Sequence, residues 1–329
     1  MSFLKYAFGA NYSRFFKNLK NISKKNKISV FRLFFSFLGC FIKYGAGLTD
    51  FLNYQLYLKT PQQRKEYITI KDSDAFYALV SPEKYKTFFT IKHQFLSNFK
   101  KYIKRDWITP NGENFNEFSE FCNKHKVFFI KPYDGLAGSG VQKVDISKEN
   151  KSIKELFDDY SNNKILVEEL VENHKDIKIF APNSCNTIRV VTCANKGKSK
   201  LLYAALRVGA GGNVDNFHAA GMGVMIDNNT GKLIGNGVNK NLENFEYHPM
   251  SKIKFDGYQL PFWKETIEMC LEAALVNDKI HVVGWDVAVT PSGPTFIEGN
   301  RRPGFDLPQM ACKKGFKFLI REVKQQLAD

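Results

Sequence analysis

Three side chains near the C-terminus have the types and spacing for cation chemistry. Gly284-Trp285-Asp286-Val287-Ala288-Val289-Thr290 and Phe296-Ile297-Glu298-Gly299-Asn300-Arg301-Arg302-Pro303 are strand-like runs, and Pro291-Ser292-Gly293-Pro294 between them reads as a turn. Asp286, Glu298 and Asn300 offer hard oxygen donors of the kind Mg²⁺ takes alongside water and substrate phosphates. A carboxylate in an apolar strand is costly unless a cation or hydrogen bonds satisfy it. Glu298 and Asn300, two apart, share a strand face, and Asp286 shares its own with Gly284 and Ala288, which leaves room for a bulky ligand. The competing reading is an ordinary hairpin with surface acids. A common ion needs all three donors on one face. A loop of four residues would set Asp286 opposite Gly299 and point the two acids to opposite faces. The metal reading therefore predicts a register shifted by one, through an odd-length loop or a β-bulge, with Asp286 opposite Glu298 or Asn300.

A second constellation is Phe128-Phe129-Ile130-Lys131-Pro132 followed by Gly135-Leu136-Ala137-Gly138-Ser139-Gly140. A lysine at a strand end can place its ammonium on a phosphate, and glycines let backbone N–H groups approach phosphate oxygens closely. The order differs from that of a P-loop, because the lysine precedes the glycines. In Ile165-Leu166-Val167-Glu168-Glu169-Leu170-Val171-Glu172 an apolar strand runs into acids. Such a hinge can read adenine through backbone groups and a carboxylate; a surface strand end is the plainer alternative. His218, in a glycine-rich loop, could accept a proton from an attacking amine or sit there as an ordinary loop histidine.

These groups need a large, water-excluding scaffold. The chain has 329 residues, 43% of them hydrophobic, which suits a globular protein of two or three lobes. Of the net charge of +15, nine bases and no acid lie between Met1 and Thr49, which leaves +6 on the other 280 residues. The six cysteines form no CxxC pair or zinc-spaced cluster and read as reduced thiols of a cytoplasmic protein. The longest apolar run, Leu33 to Ile42, has ten residues against the roughly twenty that span a bilayer, and no cleavable leader is expected. In Ile28 to Tyr44, Arg32, Ser36, Gly39 and Lys43 form a narrow polar stripe on an otherwise apolar helix. That helix can pack on the main domain, or residues 1–49 can lie on an anionic membrane at the inner face. Nucleic acid is not an expected partner.

Helices are expected around Asn114–Lys126, Lys151–Tyr160, Trp263–Ala274 and Phe316–Leu327, with strands around 127–130, 165–167, 187–208, 223–226 and 232–234. Strands dominate the C-terminal half, which gives an α+β class with antiparallel sheets. The boundaries read as a basic helical region over 1–80, a small lobe over 81–170 and a large lobe over 171–329.

The order Lys-Pro, glycine-rich loop, acidic strand end, lone Asp, Glu-x-Asn resembles the ATP-grasp superfamily. Asn186-Thr187-Ile188-Arg189-Val190-Val191-Thr192, Leu206-Arg207-Val208-Gly209, Val214-Asp215-Asn216, Gly284-Trp285-Asp286-Val287 and Phe296 to Asn300 are similar to its sugar-transfer-associated family. The resemblance covers about residues 81–315 and extends more weakly over Tyr44 to Tyr67. Gly221-Met222-Gly223 replaces a usual Gly-Gly pair, and Arg301-Arg302 is more basic than usual; both departures concern the acceptor.

The resemblance implies two α+β lobes sandwiching ATP and an ATP-dependent carboxylate–amine (or carboxylate–hydroxyl) ligase with an acyl-phosphate intermediate. One or two Mg²⁺, with Mn²⁺ as a substitute, would sit on Asp286, Glu298 and Asn300. Lys131 would hold the α- and β-phosphates under a flap that includes Gly138, Ser139 and Gly140, with Lys86 or its rival Lys92 as a second ATP lysine. Glu168, Glu169 and the backbone at Val171 would read adenine, and Glu172 the ribose. Arg207 and Arg302 would face the γ-phosphate, with Arg189 nearby. Guanidinium groups suit the meeting of two anions in phosphoryl transfer. Family members tend to be encoded with bacterial surface-polysaccharide enzymes, which implies a sugar, glycolipid or amino-acid acceptor. The reading from another class is a non-catalytic protein that uses its basic arm on a membrane or nucleic acid.

Overall fold

The computed structural model describes residues 12–133, 140–209 and 221–328. Eleven strands are present among them: β1 (Trp107–Ile108), β2 (Val127–Pro132), β3 (Gln142–Asp145), β4 (Ile165–Glu169), β5 (Thr187–Asn195), β6 (Lys198–Val208), β7 (Met222–Ile226), β8 (Leu233–Asn239), β9 (Asn244–Phe245), β10 (Val282–Thr290) and β11 (Gly293–Asn300). They form two antiparallel sheets, one of four strands in the order β1-β4-β2-β3 and one of seven in the order β11-β10-β5-β6-β7-β8-β9. The α+β expectation holds; the four expected helices lie within two residues of those observed, while the strand expected at 232–234 runs on to Asn239 and β1, β3 and β9 are not among those expected.

The small sheet is covered by helices Phe115–Lys124 and Ile153–Asn162, whose Phe118, Phe121, Leu156 and Phe157 close a core with Phe128 and Val167. The strands β5, β6, β7 and β10 of the large sheet are largely buried on both faces, so they read as nearly continuous apolar runs rather than alternating ones. On one face Val190, Leu206, Val224 and Trp285 pack with helix Trp263–Ala273 and with Phe89, Phe95 and Phe99. On the other, Val191, Cys193, Ala205 and Met225 pack with the N-terminal helices and with the C-terminal helix Lys317–Ala328. The N-terminal region thus shares the large lobe's core. Gln309, fully buried, binds the backbone N–H (2.7 Å) and carbonyl (3.1 Å) of Ile68 and so joins helix Asp306–Cys312 to the segment before helix Ile70–Val80.

Candidate active site

Strand register builds the site. The turn between β10 and β11 is shorter than the sequence suggests: Thr290 faces Gly293, so Pro291 and Ser292 alone form the loop. Continued without a break, that register would put Asp286 opposite Ile297. A β-bulge intervenes: Val287 faces Phe296, while Asp286 faces Glu298 and Gly284 faces Asn300. The one-residue shift required by a common site is therefore present, in the form of a bulge. On the other side of β10, Asp286 faces Arg189 of β5, which faces Ala205 of β6. Arg207 lies two residues from Ala205, so it shares that face. Glu298, Asp286, Arg189 and Arg207 therefore stand in a row across four strands. Behind them Trp285 stacks on Phe296 at 4.7 Å and donates to the Thr192 hydroxyl at 2.9 Å, which fixes the hairpin on the sheet.

Asp286 is buried and held by two guanidinium groups. Arg189 takes both of its oxygens, with Nη2–Oδ2 at 2.9 Å, and Arg207 Nη1 reaches Oδ2 at 2.9 Å. Burial alone would raise its pKa, but the two arginines outweigh that and hold it far below the carboxylate range. Glu298 goes the other way. Burial first, then the neighbouring Asp286 charge, raises its pKa. Glu298 opens onto solvent through a cavity but is ringed by protein on its other sides. Asn300 Nδ2 lies 3.3 Å from Glu298 Oε1 and 3.4 Å from Asp286 Oδ2. The donor chemistry fits Mg²⁺ best at Glu298 and Asn300, which line the cavity. Asp286 stands behind them with both oxygens engaged by arginine, and an ion would have to share them. The room expected beside Asp286 is also filled: a Cβ on Gly284 would meet Pro303 at 2.6 Å and Arg189 Cδ at 3.3 Å.

The facing wall belongs to the small sheet. Lys131 on β2 and Glu168 on β4 form an ion pair, and Arg105 completes it with Nε 2.9 Å from Glu168 Oε1. Burial would raise the Glu168 pKa, but Arg105 and Lys131 lower it to about 2. Arg105 also donates to the carbonyls of Phe296 and Ile297, the latter at 3.2 Å. It therefore ties the small sheet to the bulge that sets the Glu298 register. Between the walls lies a cavity of about 620 Å³, lined by Lys92, Lys131, Glu168, Arg189, Arg207, Glu298, Asn300 and Arg302 among others. That size suits a nucleotide-sized ligand.

Other expected residues divide. Lys92 lines the cavity, whereas Lys86 does not; it pairs with Glu83 at 3.1 Å on the surface. The Glu168 carboxylate is paired with both Arg105 and Lys131. Glu169 accepts from the Asp106 N–H at 2.9 Å, Val171 is half-buried, and Glu172 is exposed and paired with Lys178 at 2.6 Å. Arg302 reaches the cavity edge, with Asp74 at 2.6 Å and its guanidinium 5.2 Å above the Tyr77 ring. Its segment is fixed by Tyr77, which donates to the Pro303 carbonyl, and by Tyr203, which donates to that of Gly304 at 2.6 Å. Gly140 ends the glycine-rich loop with φ +74°. Gly138, Ser139, His218 and Val214 to Asn216 lie outside the described residues. Sequence reasoning missed Arg105. The only signal was an arginine inside an apparently solvated basic connector, Lys100-Lys101-Tyr102-Ile103-Lys104-Arg105.

Removing Lys131 tests the small-lobe wall. One charge-assisted contact is worth about 1.5–3 kcal/mol, so Lys131→Ala should weaken ATP about ten- to hundredfold by calorimetry. Lys92→Ala should weaken it too, and Lys86→Ala should not. An unchanged dissociation constant in Lys131→Ala removes that residue from the site.

A sequence profile described as sugar-transfer associated ATP-grasp matches residues 53–325. No curated protein matches the chain. Among solved structures, the ATP-grasp ligase PsnB, complexed with a phosphomimetic variant of a minimal precursor, Mg and ADP, is similar at 13% identity and a TM-score of 0.46, over 78% of this chain and 68% of that one. The D-alanine-D-alanine ligase from Coxiella burnetii is similar at 11% identity and a TM-score of 0.43, over 78% and 68%. N5-carboxyaminoimidazole ribonucleotide synthetase (purK) is similar at 11% identity and 0.40, over 67% of this chain and 46% of its own length. With the family match spanning most of its length, the chain belongs to the sugar-transfer associated ATP-grasp family.

Proposed function

We propose that the protein is an ATP-dependent ligase that joins a carboxylate to an amine through an acyl phosphate. The observation that carries this reading is one cavity with a lysine on one wall and Arg189, Arg207, Glu298 and Asn300 on the other. Lys131 and Lys92 neutralise the nucleotide phosphates. Arg189 and Arg207, locked by Asp286, present fixed positive charge where the γ-phosphate meets an incoming carboxylate, a preorganised arrangement suited to an anionic transition state. A carboxylate oxygen attacks the γ-phosphorus and the bond to ADP breaks. The amine lone pair then attacks the acyl carbon, the C–O bond to phosphate breaks, and the nitrogen gives up a proton. Mg²⁺ bound at Glu298 and Asn300 would supply charge neutralisation for the β- and γ-phosphates.

The carboxylate is a uronic acid of a surface-glycan precursor or an amino acid, the two classes the family match brings forward. A hydroxyl acceptor would follow the same route to an ester. Use of ATP and six free cysteines suit a reducing compartment, the cytoplasm. An ADP-release screen of uronic-acid sugars against amino acids, each with a panel of amines, tests the function. In a positive pair, ¹⁸O from the labelled carboxylate should appear in the released phosphate. Turnover without that transfer rules out the acyl phosphate.

A further inference from the structure

The helix Val30–Tyr44 carries two apolar faces, and the fold uses one of them. Leu33 and Cys40 are fully buried against the large lobe, as is Leu19 of the preceding helix Tyr12–Asn26. Phe31, Phe35, Leu38 and Ile42, spaced by four, three and four, form a separate stripe on the opposite side. Phe31 is 74% and Ile42 73% exposed, and the Phe31 and Phe35 rings lie 4.6 Å apart in the open. A packing role accounts for Leu33 and Cys40 and leaves this stripe unexplained.

Its surroundings are basic. Lys17, Lys20, Lys24, Lys25, Arg32 and Lys43 are exposed on the two helices and Lys27 in the turn between them, and among the described residues no carboxylate pairs with them. No acid lies between Met1 and Thr49, so the charged side chains that these two helices contribute are all positive. No helix of the described residues is long and apolar enough to cross a membrane. We propose that the exposed stripe Phe31–Phe35–Leu38–Ile42 is a membrane-docking surface that lies in the interface of an anionic bilayer, with the flanking lysines and arginine on the lipid headgroups. An amphipathic helix of this kind inserts its apolar face to about 5–10 Å, and each base near the surface adds electrostatic attraction that salt screens. The charge selects this occupant over a second copy of the chain, since two such surfaces would repel. The proposal stands apart from the ligase reading, because none of these residues lines the cavity.

Flotation of the full-length protein with vesicles tests it. Wild type should bind phosphatidylcholine vesicles holding about 30% phosphatidylglycerol at low salt, and bind them at least about tenfold more weakly in high salt or without the anionic lipid. Changing Phe31, Phe35, Leu38 and Ile42 together to Ser should cut binding at least about tenfold at an unchanged melting temperature, because these side chains are exposed. A second variant with Lys17, Lys20, Lys24 and Lys25 changed to Gln should lose affinity without touching any apolar contact. Three outcomes would overturn the proposal: wild type that ignores anionic vesicles, a four-serine variant that binds as wild type does, or a wild-type dimer that the four serines dissociate.

Discussion

Glu298→Gln is expected to remove turnover, by on the order of 10²–10³-fold or more, while leaving the metal-free protein at least as stable as wild type. The two effects have one cause. Burial and the Asp286 charge raise the Glu298 pKa, so the folded state disfavours its ionised form. A carboxyl raised in this way costs stability above its ordinary pKa, where the unfolded chain ionises it freely. Below that pKa it is protonated in both states and the cost vanishes. At neutral pH without metal, the amide should therefore melt at or above the wild-type temperature, and the difference should close as the solution is made acidic. A stable Glu298→Gln variant with near wild-type ATP turnover would sink the metal assignment.

Arg105→Met should destabilise the fold by about 3–5 kcal/mol, the scale for breaking a buried ion pair. The substitution strips Glu168 of one of its two cations and leaves the Phe296 and Ile297 carbonyls without their donor. The pH dependence identifies the mechanism. Glu168 has its pKa lowered from 4.5 to about 2, so its contribution is complete above pH 4.5 and is lost as pH falls toward 2. Without Arg105 the folded pKa moves back up, and the window narrows. Urea midpoints of wild type, Arg105→Met and Arg105→Lys across that range check both parts, with Lys rescuing charge but not the fork to the bulge. A midpoint for Arg105→Met within error of wild type would show that Arg105 does not hold the two sheets together.

The hairpin was legible in the sequence because its residue types conflict with its surroundings: carboxylates in apolar strands demand partners. Even the need for a register shift could be read from the parity of Asp286, Glu298 and Asn300. The bulge and the two-residue turn that deliver it could not, since Gly293 and Pro294 look like turn residues and only tertiary packing makes them strand. The place of Lys131 at a strand end was legible, and the fold sets that strand end on the cavity wall. The burial and pairing of Glu168 were not legible, because its partner Arg105, 63 residues earlier, sits in a run of bases that looks solvated. Helix Val30–Tyr44 shows a related limit. Its polar stripe is evident in sequence, but which apolar face meets the core depends on the sheet beneath it.

The measurement closest to the central claim is ATP binding with Mg²⁺ present and with it chelated, in wild type and Glu298→Gln. If phosphates and metal meet between Lys131 and Glu298, Mg²⁺ should tighten ATP at least about tenfold in wild type and much less in the variant. Wild-type affinity that ignores Mg²⁺, or a variant that responds as fully as wild type, would contradict the account.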